Sequence, residues 1–321
     1  MDTIGVIVPC FNEEDVLNLF YKEMRVIMNQ MPHERFKILF VDDGSRDNTL
    51  EMLRQIHSID SCCDYLSFSR NFGKESALYA GLQNLDCDYT VFMDADLQHP
   101  PQLIPKMYRM VSEGKCDCAA AVRKDREGES RRRAVLSKKF YDVMNRISDV
   151  DMQRNVTDFR MMNRKAASAM RNFTEHRRFT KGMFSWIGFH TEWIEYDNVE
   201  RAAGESKWPM KKLFSYAVSG ISSYSDWMLR LPGYLGGLLL IFGIAAAITL
   251  AVMHGRLREV DLLLSMIMLL AGVLLLVMRG ISLYIGRIYE EELNRPQYLV
   301  KEKSICHDNE KMVPNTLTRF N

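Results

Sequence analysis

Seven consecutive segments of the first hundred residues switch between two hydrophobic periods, and this alternation limits the chain to very few architectures. "TIGVIVPCF", "FKILFVDD", "DYLSFSR" and "YTVFMDAD" are apolar, β-branched or aromatic runs of strand length. Between them lie "EEDVLNLFYKEMRVIMNQ", "SRDNTLEMLRQIHSI" and "KESALYAGLQNL", with apolar residues at helical spacing. The first of these helices is expected to open on its acids, and the second to be capped by Asp47 or Asn48. A βαβαβαβ order with strands apolar on both faces predicts an α/β fold on a mainly parallel sheet. Such sheets bind ligands outside the carboxyl ends of their strands. Three polar clusters should therefore share one rim: Pro9 to Glu13, Asp42-Asp43-Gly44-Ser45, and Asp94 to Gln98.

The chemistry of that rim is acidic. No G-x-G-x-x-G follows the first strand and no G-x-x-x-x-G-K-[ST] occurs, which speaks against a dinucleotide oxidoreductase and a P-loop NTPase. Acids suit the hydroxyls and N–H donors of a nucleotide, but its phosphates then need a cation. Asp94 and Asp96, two residues apart on a strand, would share a face and offer hard oxygen ligands to Mg²⁺ or Mn²⁺. A net charge of +1 gives no general field for nucleic acid. The seven cysteines show no paired zinc spacing and read as thiols in a reducing compartment.

Composition changes near residue 230. Leu231 to Gly255 carries no charge over 25 residues, and Leu262 to Met278 forms a second uncharged run. A bilayer core needs roughly 20 residues of helix. The short link "RLREVD" between the runs predicts a hairpin of two membrane helices, at about 232–254 and 261–286. The expected division is a catalytic domain at 1–206, interfacial amphipathic helices at 207–231, the spans within 232–286, and a cytosolic tail at 287–321. Lys211, Lys212, Arg230, Arg279, Arg287 and Arg295 place the large domain and both termini on the cytoplasmic side of a plasma (inner) membrane. The first residues read as a strand rather than a signal peptide, so two N-glycosylation sequons carry no meaning there. The stretch from Glu302 onward reads as polar and poorly ordered.

"VIVPCFNEE", "FVDDGSRDNT", "SRNFGKESALYAGL", "MDADLQHPP", "TDFRMMNRKA", "FTKGMFSWIGF" and "RAAGESKW" occur in that order. Together they resemble the family 2 glycosyltransferases that charge polyprenyl phosphates, the dolichol-phosphate mannose synthase and bactoprenol glucosyltransferase group. The closing "YIGRIYEEELNRPQYLV" resembles the bactoprenol branch. The resemblance implies a GT-A (Rossmann-like) fold and inverting transfer of a hexose from a nucleotide sugar to a lipid phosphate. It implies that Pro9, Phe11 and Glu13 contact the nucleoside and that Asp43 meets the base and ribose. Asp94 and Asp96 match the metal-diphosphate motif, with Gln98 on the sugar side. Asp158 and Arg160 match the acid and arginine of the acceptor segment, and Ser206 and Lys207 a loop at the mouth of the site. His99 stands where an acid is expected after "DLQ" and receives no role.

The acceptor would be a phosphate monoester, largely ionised at neutral pH because its second pKa lies near 6. Asp158 is thus expected to orient Arg160 or the acceptor more than to remove a proton. The basic stretch "RKDREGESRRRAVLSKK" suits anionic headgroups and the lipid phosphate, with Arg123 and Arg131 as contact candidates. The branch implies glucose on UDP. Galactose, N-acetylglucosamine, mannose, aminoarabinose and GDP stay open, as do undecaprenyl and dolichyl carriers. Glycines at 233, 236, 237 and 243 would permit close helix packing, and the family suggests a homo-oligomer, up to a tetramer. The alternatives are a processive polysaccharide synthase, for which a Q-x-x-R-W-type motif is missing, and a non-catalytic nucleotide-sugar-binding scaffold.

Overall fold

A computed structural model describes residues 1–124, 156–175, 178–197, 259–305 and the isolated Tyr234 and Leu238. The alternating segments become β1 (Thr3–Cys10), α1 (Leu17–Gln30), β2 (Arg35–Asp42), α2 (Thr49–Ile59), β3 (Cys63–Phe68), α3 (Lys74–Asn84) and β4 (Tyr89–Phe92). They are followed by α4 (Ile104–Ser112), β5 (Cys118–Arg123), β6 (Val156–Asn163), α5 (Arg164–Arg171), α6 (Thr180–Trp186) and β7 (Thr191–Tyr196). After residues outside the described set come α7 (Glu259–Glu292) and β8 (Val300–Lys303). The eight strands form one sheet in the order β7-β5-β6-β4-β1-β2-β3-β8.

The sheet is mixed rather than mainly parallel. β1/β2, β1/β4, β2/β3 and β5/β7 pair parallel, whereas β4/β6, β5/β6 and β3/β8 pair antiparallel. Period-2 patterning identifies strands but carries no sign of their direction, so it does not reveal β6, inserted antiparallel between β4 and β5. The core is double-sided, as the apolar strands require. Val6 and Val8 of β1 pack with Phe20 and Met24 of α1 on one face. Ile7 packs with Ala77 and Ala80 of α3 on the other.

Register sets the rim. β1 and β2 run flush from Thr3↔Arg35 to Cys10↔Asp42. β4 stops at Phe92, opposite Ile7 of β1. Asp94 and Asp96 are therefore in the turn beyond the strand, not on its shared face as expected, and Leu97 in that turn has φ 56°. The acids before α1 also differ from expectation. Its first turn holds none of them, because the helix starts only at Leu17. Glu14 instead serves α2: its Oε2 accepts from the Asn48 backbone N–H at 2.9 Å, and Asp47 Oδ1 accepts from Thr49 N–H at 3.1 Å.

The C-terminal segment corrects a further expectation. Glu302 is not in a loose tail: β8 adds to the β3 edge, with Leu66 opposite Lys303. Glu302 accepts from Arg54 at 2.6 and 2.9 Å and from the Tyr65 hydroxyl at 2.6 Å. Tyr298 stacks on Phe68 at 5.0 Å between ring centroids. The strand covers an edge that would otherwise present open hydrogen-bonding groups. Four residues, Val-Lys-Glu-Lys, are too short and too polar to read as a strand until their partner edge is known.

α7 runs unbroken for 34 residues and overruns the expected span 261–286 at both ends. Leu263, Met266, Ile267, Leu270 and Leu274 are among its exposed side chains. Among the described residues no helix is long and apolar enough to cross a membrane, so the expected hairpin is not shown. The interfacial helices at 207–231 lie outside the described residues, as does the span 232–254 apart from Tyr234 and Leu238.

Gly81 sets how closely α3 approaches the sheet, since a Cβ there would come within 2.2 Å of Ile7 Cγ2. Gly81→Ala is expected to cost about 1–3 kcal/mol through overpacking. Thermal unfolding checks this, and an unchanged melting temperature would contradict the close fit.

Candidate active site

The loops at the carboxyl rim are laced together by short polar side chains. After β1, Asn12 has φ 54°, its N–H donates to Ser45 Oγ at 2.9 Å, and its Oδ1 accepts from Arg46 N–H at 2.8 Å. Glu13 N–H donates to Thr49 Oγ1 at 2.8 Å. These bonds fix Phe11 and Glu13 beside the β2–α2 loop. Pro9 stands one register step before the end of β1, opposite Val41.

Asp43 is placed on this rim but turned inward. Its side chain is buried, and its carboxylate accepts from Phe72 N–H at 2.6 Å, Gly73 N–H at 2.9 Å and Asn71 Nδ2 at 2.9 Å. It thereby positions the β3–α3 loop, a role that the sequence alone does not suggest. Burial raises its pKa to about 6, against the opposing pull of the Phe72 and Gly73 N–H groups.

That loop delivers Lys74 to the centre of the site. Its ammonium lies 2.7 Å from Asp94 Oδ1, 2.8 Å from Asp94 Oδ2 and 2.7 Å from Asp158 Oδ2. Asp94 comes from the turn after β4, and Asp158 from β6. Burial opposes the charge on both Lys74 and Asp158. The two acids nevertheless hold the lysine pKa above its ordinary value, and Lys74, with Lys181, holds Asp158 well below the usual carboxylate range. Lys74 and Asp158 are therefore both charged at neutral pH.

The neighbours of this cluster are mostly buried. Asp96 Oδ1 accepts from Gln98 N–H at 3.1 Å. Gln98 Oε1 accepts from Arg123 at 3.4 Å, and Arg123 Nε donates to the Tyr196 hydroxyl at 3.1 Å. The expected sugar-side glutamine and basic contact residue thus form one chain of hydrogen bonds. His99 is enclosed, stacked on Phe159 with ring centroids 5.5 Å apart, and its Nδ1 is 4.0 Å from Asp94 Oδ2. Burial pushes its pKa down and favours the neutral ring. Arg160 departs from its expected place at the acceptor: it is 1% exposed, donates to Thr157 O at 3.2 Å, and lies 3.4 Å over the Phe184 ring. Its charge acts on Asp158 from beneath the site. Arg131, Ser206 and Lys207 lie outside the described residues.

One sequence signal and one structural signal point to Lys74. A lysine opening a helix opposes the helix dipole, and here it follows a glycine with φ 101° at the binding rim. Such a placement calls for anions nearby.

A divalent ion fits this donor set. Asp94 and Asp96 supply hard oxygens, and no third ligand joins them among the described residues. One or two carboxylates completed by phosphate oxygens and water is the usual Mg²⁺ arrangement. The cluster of Asp60, Cys62 and Cys63 is a poorer candidate for a hard ion, because two of its three donors are thiols. The six described cysteines are free thiols.

A Rossmann-like sheet with an acidic carboxyl rim defines the GT-A class of nucleotide-sugar-dependent folds. Residues 5–171 match glycosyl transferase family 2, and the chain belongs to that family and is a glycosyltransferase. It is 37% identical over 303 residues to the SfII prophage-derived bactoprenol glucosyl transferase of Shigella flexneri, covering 93% of this chain and 97% of that one. The prophage bactoprenol glucosyl transferase homolog of Escherichia coli (strain K12) is 35% identical over 302 residues, covering 93% and 98%. A crystal structure of glucosyl-3-phosphoglycerate synthase from Mycobacterium tuberculosis, with Mn²⁺, UDP-glucose and phosphoglyceric acid, overlays with a TM-score of 0.47 at 17% identity, covering 69% and 79%.

The raised pKa of Asp43 fixes the sign of a pH effect. Between about 4 and about 6 the folded chain binds this proton and the unfolded chain does not, so stability falls as pH rises through that window. The loss should reach up to about 3 kcal/mol. Denaturant unfolding at stepped pH is expected to show this decline in the wild type and its removal in Asp43→Asn.

Proposed function

We propose that the chain transfers a hexose, glucose on UDP in the first instance, with inversion to a polyprenyl phosphate at a membrane surface, making a lipid-linked sugar donor for cell-surface glycan modification. The observation that carries this reading is the convergence of Asp94 and Asp158 on Lys74 at the carboxyl rim, with Asp96 in the same turn as Asp94. The lipid acceptor is supported by the names of relatives that align over nearly the whole chain. Membrane attachment is supported by the charge-free stretch 231–255 and by the exposed leucines of α7. In this reading the catalytic domain and both termini face the cytoplasm, the protein spans the membrane twice, and copies assemble as a homo-oligomer.

Asp94 and Asp96 would hold Mg²⁺ or Mn²⁺, which supplies charge neutralisation for the leaving diphosphate. The β1–α1 loop with Pro9, Phe11 and Glu13 borders the nucleoside, and Asp43 holds the loop that carries Lys74. Gln98, fixed by Arg123, borders the sugar. Asp158 stays ionised and directs cations, Lys74 foremost, toward the incoming phosphate. That phosphate needs no strong base, since it is already largely deprotonated at neutral pH. Ser206 and Lys207 would border the mouth of the site, and Arg131 would contact the acceptor phosphate.

Purified full-length protein, a short polyprenyl phosphate, Mg²⁺ or Mn²⁺ and a panel of UDP- and GDP-sugars test the reading through nucleoside diphosphate release. UDP-glucose is expected to turn over fastest, and Asp94→Ala to lose about 10²-fold or more. No acceptor-dependent release with any donor would overturn the assignment. Asp158→Asn is expected to stay impaired from pH 6 to 9, whereas recovery at high pH would show that Asp158 removes a proton.

A further inference from the structure

We propose that Lys74 occupies the cation position of the donor-free site, so that a divalent ion gains Asp94 only together with a nucleoside diphosphate. The inference rests on the reading above that Asp94 and Asp96 hold the ion. Both oxygens of Asp94 contact one ammonium group, at 2.7 and 2.8 Å. An ion ligating Asp94 must share those oxygens with the ammonium, a like charge at close range. The same ammonium has a second anchor, Asp158 Oδ2 at 2.7 Å, onto which it can withdraw without leaving the site.

Charge balance gives the direction of the effect. Asp94, Asp158 and Lys74 together carry a charge of −1. A divalent ion arriving alone would face the displaced ammonium as a like charge at short range, with Asp94, Asp96 and Asp158 to be shared between the two. A diphosphate adds its own negative charge and further oxygen ligands, so the ion and Lys74 each retain anionic partners. Metal and donor then bind with positive coupling, and by linkage each raises the other's affinity by the same factor. Lys74 enlarges that factor by weakening the binding of metal alone. It is a positioning residue in this account, and it requires no change in the fold: α3 is held against β1 by Gly81 whatever the ammonium contacts.

The test is Mn²⁺ binding to the full-length protein in detergent, read from the free-Mn²⁺ paramagnetic resonance signal with and without UDP. Without UDP, Lys74→Met is expected to bind Mn²⁺ about tenfold more tightly than the wild type, and Lys74→Arg to stay near the wild type. The enhancement of Mn²⁺ affinity by UDP should shrink in Lys74→Met. Misfolding does not produce a gain in affinity, and Lys74→Gln, which can still donate to one acid, provides the same comparison if the methionine variant is poorly folded. Wild-type binding with UDP, but equal or weaker metal-only binding in both neutral variants, would overturn the proposal alone. No Mn²⁺ binding even with UDP would overturn both the proposal and the metal-dependent reading beneath it.

Discussion

The ammonium of Lys74 is the contact on which the rim depends. Asp94 arrives from the β4 turn and Asp158 from an antiparallel neighbour, and without a cation between them the two carboxylates would repel in a partly enclosed space. A single ammonium joins α3, the β4 turn and β6, elements separated by up to 84 residues of sequence. Its position is set in turn by Asp43, whose carboxylate gathers the N–H groups of the β3–α3 loop. In the proposed transfer, a diphosphate bound near these acids would need positive charge beside it, and this lysine is placed to supply it.

Much of the parallel half of the sheet is legible in sequence because its strands are apolar on both faces and are separated by amphipathic helices. The three polar clusters that end β1, β2 and β4 can be placed on one rim from order alone. The interior arrangement of that rim cannot. Asp42 and Asp43 are adjacent, and nothing in "DDGS" shows that Asp43 points into the β3–α3 loop. Arg160 shares a face of β6 with Asp158 by period, yet Phe184 of α6 encloses it. Lys74 opens a helix within "SRNFGKESALYAGL", which hints at nearby anions but not at which ones, because its partners lie 20 and 84 positions away.

The C-terminal segment ties the long apolar helix to the catalytic sheet. α7 emerges from residues outside the described set, and its chain returns to complete the sheet through Tyr298 and β8. Arg54 and Tyr65 grip Glu302 at that edge. The eighth strand comes from beyond α7, so the chain that forms that helix returns to the catalytic sheet.

Hydrogen exchange of the full-length protein with and without UDP-glucose and Mg²⁺ tests the location of the donor most directly. The account predicts protection in the segments that end β1, β2 and β4, at residues 9–14, 42–46 and 93–98, with the opposite end of the sheet unchanged. Protection confined to other segments, or none at saturating donor, would contradict the placement of the active site on this rim.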